Sequence, residues 1–190
     1  MLEEYFDASF VEPFNPNYNA APSQNLPVVL NTDPKHIVNI KWGITPVWLK
    51  QEKGRRDGLI NIREENLKEK PTFKKDLNER RCLVIADGFY EWKKTKLGKI
   101  PYRFILKDKK PFAMAGLWEE HDGLKQFAII TTIPNKLASK VHNRMPVILS
   151  KKEDRIWLQD GLDFNKALNI LNPYADKEML LYEVSKVVKI

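Results

Sequence analysis

The β-rich runs of this chain stand too close together for helices to join most of them. HIVNIKW at 36–42, GLINIR at 58–63, RCLVIADGFYEW at 81–92, PYRFIL at 101–106, PFAMAGLW at 111–118, QFAIITT at 126–132 and PVIL at 146–149 are rich in β-branched and aromatic residues, and Gly, Pro, Asn or Asp turns separate most of them. A parallel pair needs a crossover of a dozen or more residues, whereas antiparallel neighbours need only a tight turn. The spacing therefore predicts an α+β domain, mainly antiparallel β-sheet or barrel, with a few peripheral helices. KLGK at 96–99 and EHDG at 120–123 read as hairpin tips. Helical patterns come late: SKKEDRIWLQD offers Ser150 as an N-cap with acids in the first turn, and FNKALNILN follows it. PFNPNYNAAPSQNLP at 13–27 holds four prolines and four asparagines, which predicts ordered loop.

At 190 residues and 43% hydrophobic content the chain can bury one good core, and one compact domain is expected. Lysine and arginine total 32 against 25 acids, a net charge of +7 that favours a polyanionic partner through counterion release. The same surplus is also compatible with a charge that merely solubilises. Runs such as FAIITTI at 127–133 fall far short of the roughly twenty residues that cross a bilayer, and no basic-then-apolar signal opens the chain. A single cysteine, Cys82, cannot form an intramolecular disulfide, which suits a reducing compartment. The expectation is a cytoplasmic monomer with no membrane contact. No His/Cys/Glu spacing suggests a metal site, and no cofactor is expected.

Four stretches concentrate polar groups that packing alone does not explain. In KWGITPVWLK, Trp42 and Trp48 flank a Gly and Pro turn with lysines at both ends, which makes either a platform for unpaired bases or two core tryptophans. In NIREENL, Asn61 and Arg63 are two apart and share a strand face, as a phosphate and sugar clamp or as a solvated strand end. RCLVIADGFYEW carries two carboxylates in an apolar run. If that strand is unbroken, Glu91 shares the apolar face of Leu83, Ile85 and Phe89, its pKa rises, and it can donate and recover a proton; Gly88 as a bulge would reset that parity, and a salt bridge to a nearby lysine is the competing reading. Asp87, before Gly88, reads as a turn or bulge hydrogen bonder. In TTIPNKLASKVHNRMPVIL, His142 lies two residues from Arg144, whose charge favours a neutral imidazole able to accept a proton; the alternative is a surface or turn role. His36 and His121 read as ordinary.

Taken in order, NYNAAPSQ, WGITPVW, NIREEN, PTFKKDLNERRCLVIADGFYEWKK, PYRF, FAMAGLWE, IITTIPN and VHNRMPVIL resemble the SRAP family (SOS response-associated peptidases) over most of the chain. The resemblance implies a protein that recognises abasic sites in single-stranded DNA, close to the nucleoid, and captures the open-chain aldehyde with an N-terminal cysteine as a thiazolidine crosslink. It also implies a hydrolase-like autopeptidase step that frees that cysteine. By the same resemblance Glu91 is the catalytic acid, His142 its partner in proton transfer, and Asn61 the amide that holds the ring or sugar. Arg63 and Arg144 contact the DNA backbone, Trp48 stacks on a base beside the lesion, Thr131 lies in a loop of the DNA groove, and Trp42 packs inside. The family begins Met-Cys-Gly-Arg, whereas this chain begins MLEEYFDASF, in a segment that resembles the tail of a first helix. One SRAP domain over 1–190 lacking that head is expected, its first methionine internal to a longer native form that crosslinks. The alternative is a noncovalent single-stranded DNA-binding module.

Overall fold

The structure is a computed structural model that describes residues 2–45, 58–69 and 71–185. In chain order its elements are α1 (Leu2–Phe6), β1 (Ser9–Phe10), β2 (Asn25–Leu30), β3 (Asp33–Trp42), β4 (Asn61–Arg63), α2 (Glu64–Glu69), α3 (Pro71–Glu79), β5 (Arg81–Ala86), β6 (Phe89–Thr95), β7 (Gly98–Leu106), β8 (Phe112–His121), β9 (Leu124–Thr132), β10 (Met145–Pro146), β11 (Ile148–Leu149), α4 (Lys151–Trp157), α5 (Phe164–Ile170) and β12 (Met179–Glu183). The main sheet runs β1-β3-β2-β5-β8-β9-β10, with β11 added to β8 and β4 to β9; a second sheet runs β12-β7-β6. Most pairings are antiparallel, as the short connections require. Among the described residues three are parallel: β1 with β3, β4 with β9, and a two-residue contact of β3 with β9 that curls the main sheet without making it a closed barrel.

Both faces of the main sheet are covered, which explains the nearly continuous apolar runs. Val29, Leu83, Ala115 and Leu117 turn toward the helices and meet Leu77, Trp157 and Ala167. Their neighbours Val28, Cys82, Val84 and Met114 turn the other way and meet Phe104, Leu106 and Met179 of the smaller sheet. Gly116 keeps the sheet close at this point, since a Cβ there would stand 2.8 Å from the Cys82 sulfur. Burial pushes the Cys82 thiol far above its ordinary pKa. Arg81 is wholly buried and donates to the carbonyls of Leu77, Asn78, Trp157 and Gln159, tying together the C-terminal ends of α3 and α4.

Several sequence expectations shift. RCLVIADGFYEW is two strands in two different sheets, broken at Asp87 and Gly88. A Cβ on Gly88 would stand 2.8 Å from the Phe104 carbonyl oxygen, so the chain crosses between the sheets where only glycine fits. Asp87 pairs not with local backbone but with Arg103, whose Nη2 donates to it at 2.8 Å. The proline-rich segment becomes strand from Asn25; Pro27 is tolerated because β5 pairs with β2 only from Val28 onward. The α2–α3 stretch and β12 lack an obvious pattern. In β12, Met179 is buried while Leu180 and Tyr182 are exposed, so apolar residues on both faces erase the alternation. The Ser150 cap is present as a full capping box with Glu153. Both hairpin tips form, with Asp122 and Gly123 at positive φ.

Candidate functional site

Strand alternation sets the floor of a large cleft. In β4, Ile62 enters the core while Asn61 and Arg63 stay exposed. Parallel pairing puts Arg63 beside Thr131 of β9, and β10 puts Pro146 on the opposite side of the same residue. The loop before β10 then delivers His142 and Arg144. Asn135 shapes that loop: its Oδ1 accepts from the amides of Leu137 and Ala138, and its Nδ2 donates to the Tyr174 carbonyl. The His142 amide in turn donates to the Ala138 carbonyl at 3.0 Å. Glu91 arrives from the other sheet, on β6 just past the Gly88 crossing.

Asn61, Arg63, Glu91, Thr131, His142 and Arg144 all line one cavity of about 1030 Å³. Trp48 lies outside the described residues, as does Lys50. Glu91 is more deeply set than its partner His142. Its side chain is 25% exposed, and His142 Nδ1 stands 3.6 Å from its Oε1. Burial raises the Glu91 pKa above the ordinary carboxylate value; the His142 ring and the Trp92 backbone pull it back only in part. Its ionisable neighbour among the described residues is the imidazole rather than a lysine. His142 Nδ1 also lies 3.2 Å from the Arg144 carbonyl oxygen and 3.3 Å from the Arg144 amide nitrogen. With a proton it can donate to the carbonyl; without one it can accept from the amide. The same backbone turn thus holds the ring in either protonation state, which suits a group that passes protons.

The two guanidiniums differ. Arg63 has no ion-pair partner among the described residues. Arg144 is gripped by Glu65 through a two-pronged contact at 2.5 and 3.0 Å, and its Nη2 donates to the Thr131 carbonyl. Thr131 therefore lies on a strand rather than in a loop, nearly buried, with its carbonyl seating Arg144. Trp42 is half-buried, donates its indole N–H to the Ile60 carbonyl at 2.9 Å and still reaches the cleft wall. Sequence reasoning did not single out Glu65, Tyr90, Trp92 or Arg103 for the site. Tyr90, Trp92 and Arg103 line the cleft. The alternation of aromatics around Glu91 in GFYEW was the available signal. No group of three or more potential metal ligands occurs among the described residues, and no helix there is long and apolar enough to cross a membrane.

Fold and site together define a curled α+β protein whose cleft joins a raised-pKa carboxyl and an imidazole to an amide and two guanidiniums, the equipment for proton transfer beside an anionic ligand. The profile of the SOS response associated peptidase family (SRAP) matches residues 1–190, and the chain belongs to that family. It is 41% identical over 184 residues to the abasic site processing protein YoqW of Bacillus subtilis, covering 92% of this chain and 81% of that protein. It is 40% identical over 186 residues to the abasic site processing protein YoaM of the same organism, covering 92% and 80%. A crystal structure of a Bordetella bronchiseptica protein superposes with a TM-score of 0.81 at 21% identity, covering 97% of this chain and 94% of that one, a likeness of fold.

Proposed function

We propose that the cleft binds single-stranded DNA at an abasic site and performs acid–base chemistry on the exposed aldehyde. The observation that carries this reading is the meeting of Glu91, His142, Asn61 and Arg63, from three separate segments of the chain, in one solvent-open cleft. The names of the Bacillus relatives support the same substrate. Arg63 and Arg144 hold phosphates, and the Asn61 amide holds the sugar oxygens. An amine adds to the aldehyde to give a carbinolamine, and loss of water from it requires a proton on the departing hydroxyl. Glu91, whose pKa burial raises, supplies that proton, and His142 takes up the one released by nitrogen. A thiol then adds across the imine to close a thiazolidine ring, so the net change is loss of one water.

The nucleophile for this sequence is an N-terminal cysteine carrying both amine and thiol. The 190 residues hold one cysteine, Cys82, which is internal and fully buried. Cys82 is therefore not that nucleophile, and the crosslink requires a cysteine at the N-terminus. We place the protein in the cytoplasm, at the nucleoid, as a monomer acting on the damaged strand. The test is incubation with an abasic single strand followed by a denaturing gel: no adduct from these 190 residues, and an adduct once a Met-Cys-Gly-Arg head precedes them. Absence of any affinity for single-stranded DNA at low salt would remove both readings.

A further inference from the structure

The outer face of the β6–β7 hairpin carries the cleft wall toward a strongly basic tip. Residues 90, 92 and 94 share one face of β6, and the register sets Tyr90 beside Arg103, Trp92 beside Pro101 and Lys94 beside Lys99. Tyr90, Trp92 and Arg103 line the cleft, while Lys94 and Lys99 stand exposed beyond it, about 13 Å further along the strand from Tyr90. Like charges directly opposed on one face of a strand pair destabilise it. Neither lysine has a carboxylate partner among the described residues, and the same holds for Lys93 and Lys96. The stretch WKKTKLGKIP contains no acid at all. The β8–β9 hairpin shows the ordinary alternative: EEHDGLK mixes three acids with a lysine and a histidine, and His121 pairs with Glu119. The β6–β7 tip is thus an uncompensated cluster of cations, at a cost to the hairpin, rooted in the wall of the cleft.

We propose that this hairpin is a phosphate-binding arm for the single strand that flanks the base-less sugar, with Lys94 and Lys99 as its principal contacts. The inference rests on the reading of the cleft as a single-stranded DNA site and extends the bound length beyond it. Fluorescein-labelled single strands of about 5 and about 15 nucleotides, each with a central tetrahydrofuran in place of a nucleoside, separate the two. The paired variant Lys94→Gln/Lys99→Gln relieves the repulsion across the strands, so it folds with an unchanged or higher Tm. It binds the long strand about tenfold more weakly than the parent, with the slope of log affinity against log salt shallower by about 1.4. Its affinity for the short strand is unchanged. Lys94→Glu/Lys99→Glu deepens the loss on the long strand only. Equal affinity of parent and variant for the long strand, or an equal loss on both lengths, overturns the arm. A parent that binds neither length overturns the cleft reading itself.

Discussion

At the residue scale, Glu91 and Arg144 make separable demands. Burial holds the Glu91 carboxyl above its usual pKa, so a neutral isostere at that position mimics the protonated form and loses only proton transfer. Glu91→Gln should bind an abasic strand within about threefold of the parent, and in a form with an N-terminal cysteine should form adduct about 10² to 10⁴ times more slowly. Equal rates of adduct formation in the two would remove Glu91 from the mechanism. Arg144 is different because Glu65 grips it and is itself held below the ordinary carboxylate pKa by that contact. On the proposed reading Arg144→Ala takes away a phosphate contact and leaves the Glu65 carboxylate without its hydrogen-bonded partner, whereas Arg63→Ala takes away a contact and only the weaker of the two charges acting on Glu65. The affinity loss should therefore be larger for Arg144→Ala, and adding Glu65→Gln should recover part of it. Arg63→Ala should weaken binding evenly across sequences and lower the salt slope by about 0.7. Fluorescence anisotropy over a salt series checks all four variants; an unrescued Arg144→Ala would show that Glu65 plays no part.

At the scale of elements, the joints between sheet and helices hold the stability that pH and mutation can reach. Asp76 of α3 is buried, and its pKa is raised to about 6, chiefly by burial and then by the nearby Glu119 charge on β8, with Arg80 opposing. A raised folded-state pKa means that its stabilising share is fully present below about pH 4 and is lost as pH climbs through about 6. Asp76→Asn, which cannot ionise, should stabilise the protein by about 1–3 kcal/mol at pH 8 and by little at pH 4, as read from urea unfolding at the two values. Identical differences at both pH values would contradict this. The Arg81 joint predicts the opposite sign: Arg81→Met leaves buried carbonyls at the ends of α3 and α4 without donors and should cost about 3 kcal/mol or more. Elements with one clear physical pattern were legible in the sequence. Ser150 announced α4 through its cap, and the two hairpin tips announced themselves through turn residues. What was not legible depends on neighbours far along the chain: the crossing at Gly88 is set by the approach of Phe104, and β12 is a strand because β7 offers it an edge.

At the scale of the whole molecule, the site exists only when distant pieces meet. The polar residues themselves could be read: Asn61, Arg63, Glu91, His142 and Arg144 each stood out for chemistry that packing did not explain, and the likeness to SRAP proteins gave them roles. Their geometry could not be read. Glu91 faces the cleft for a reason other than the unbroken-strand argument, because the strand stops and changes sheets; Thr131 turned out to seat Arg144 from a strand; and Glu65 was missed because its partner lies 79 residues away. Since the unfolded chain cannot assemble β4, β6, β9 and the loop before β10 around one ligand, DNA that occupies the cleft binds the native state alone and must stabilise the entire fold. At a ligand concentration one hundred times Kd the gain is about 2.7 kcal/mol, or roughly 5–11 °C in Tm for a chain of this size. A single strand with one base-less sugar should raise Tm by more than an intact strand of equal length, because only the former places a sugar free of its base against Asn61 and Glu91. Differential scanning fluorimetry at matched strand concentrations and low salt reads the comparison directly. Equal shifts for the two strands would leave the cleft a general single-strand groove and take the lesion out of its specificity.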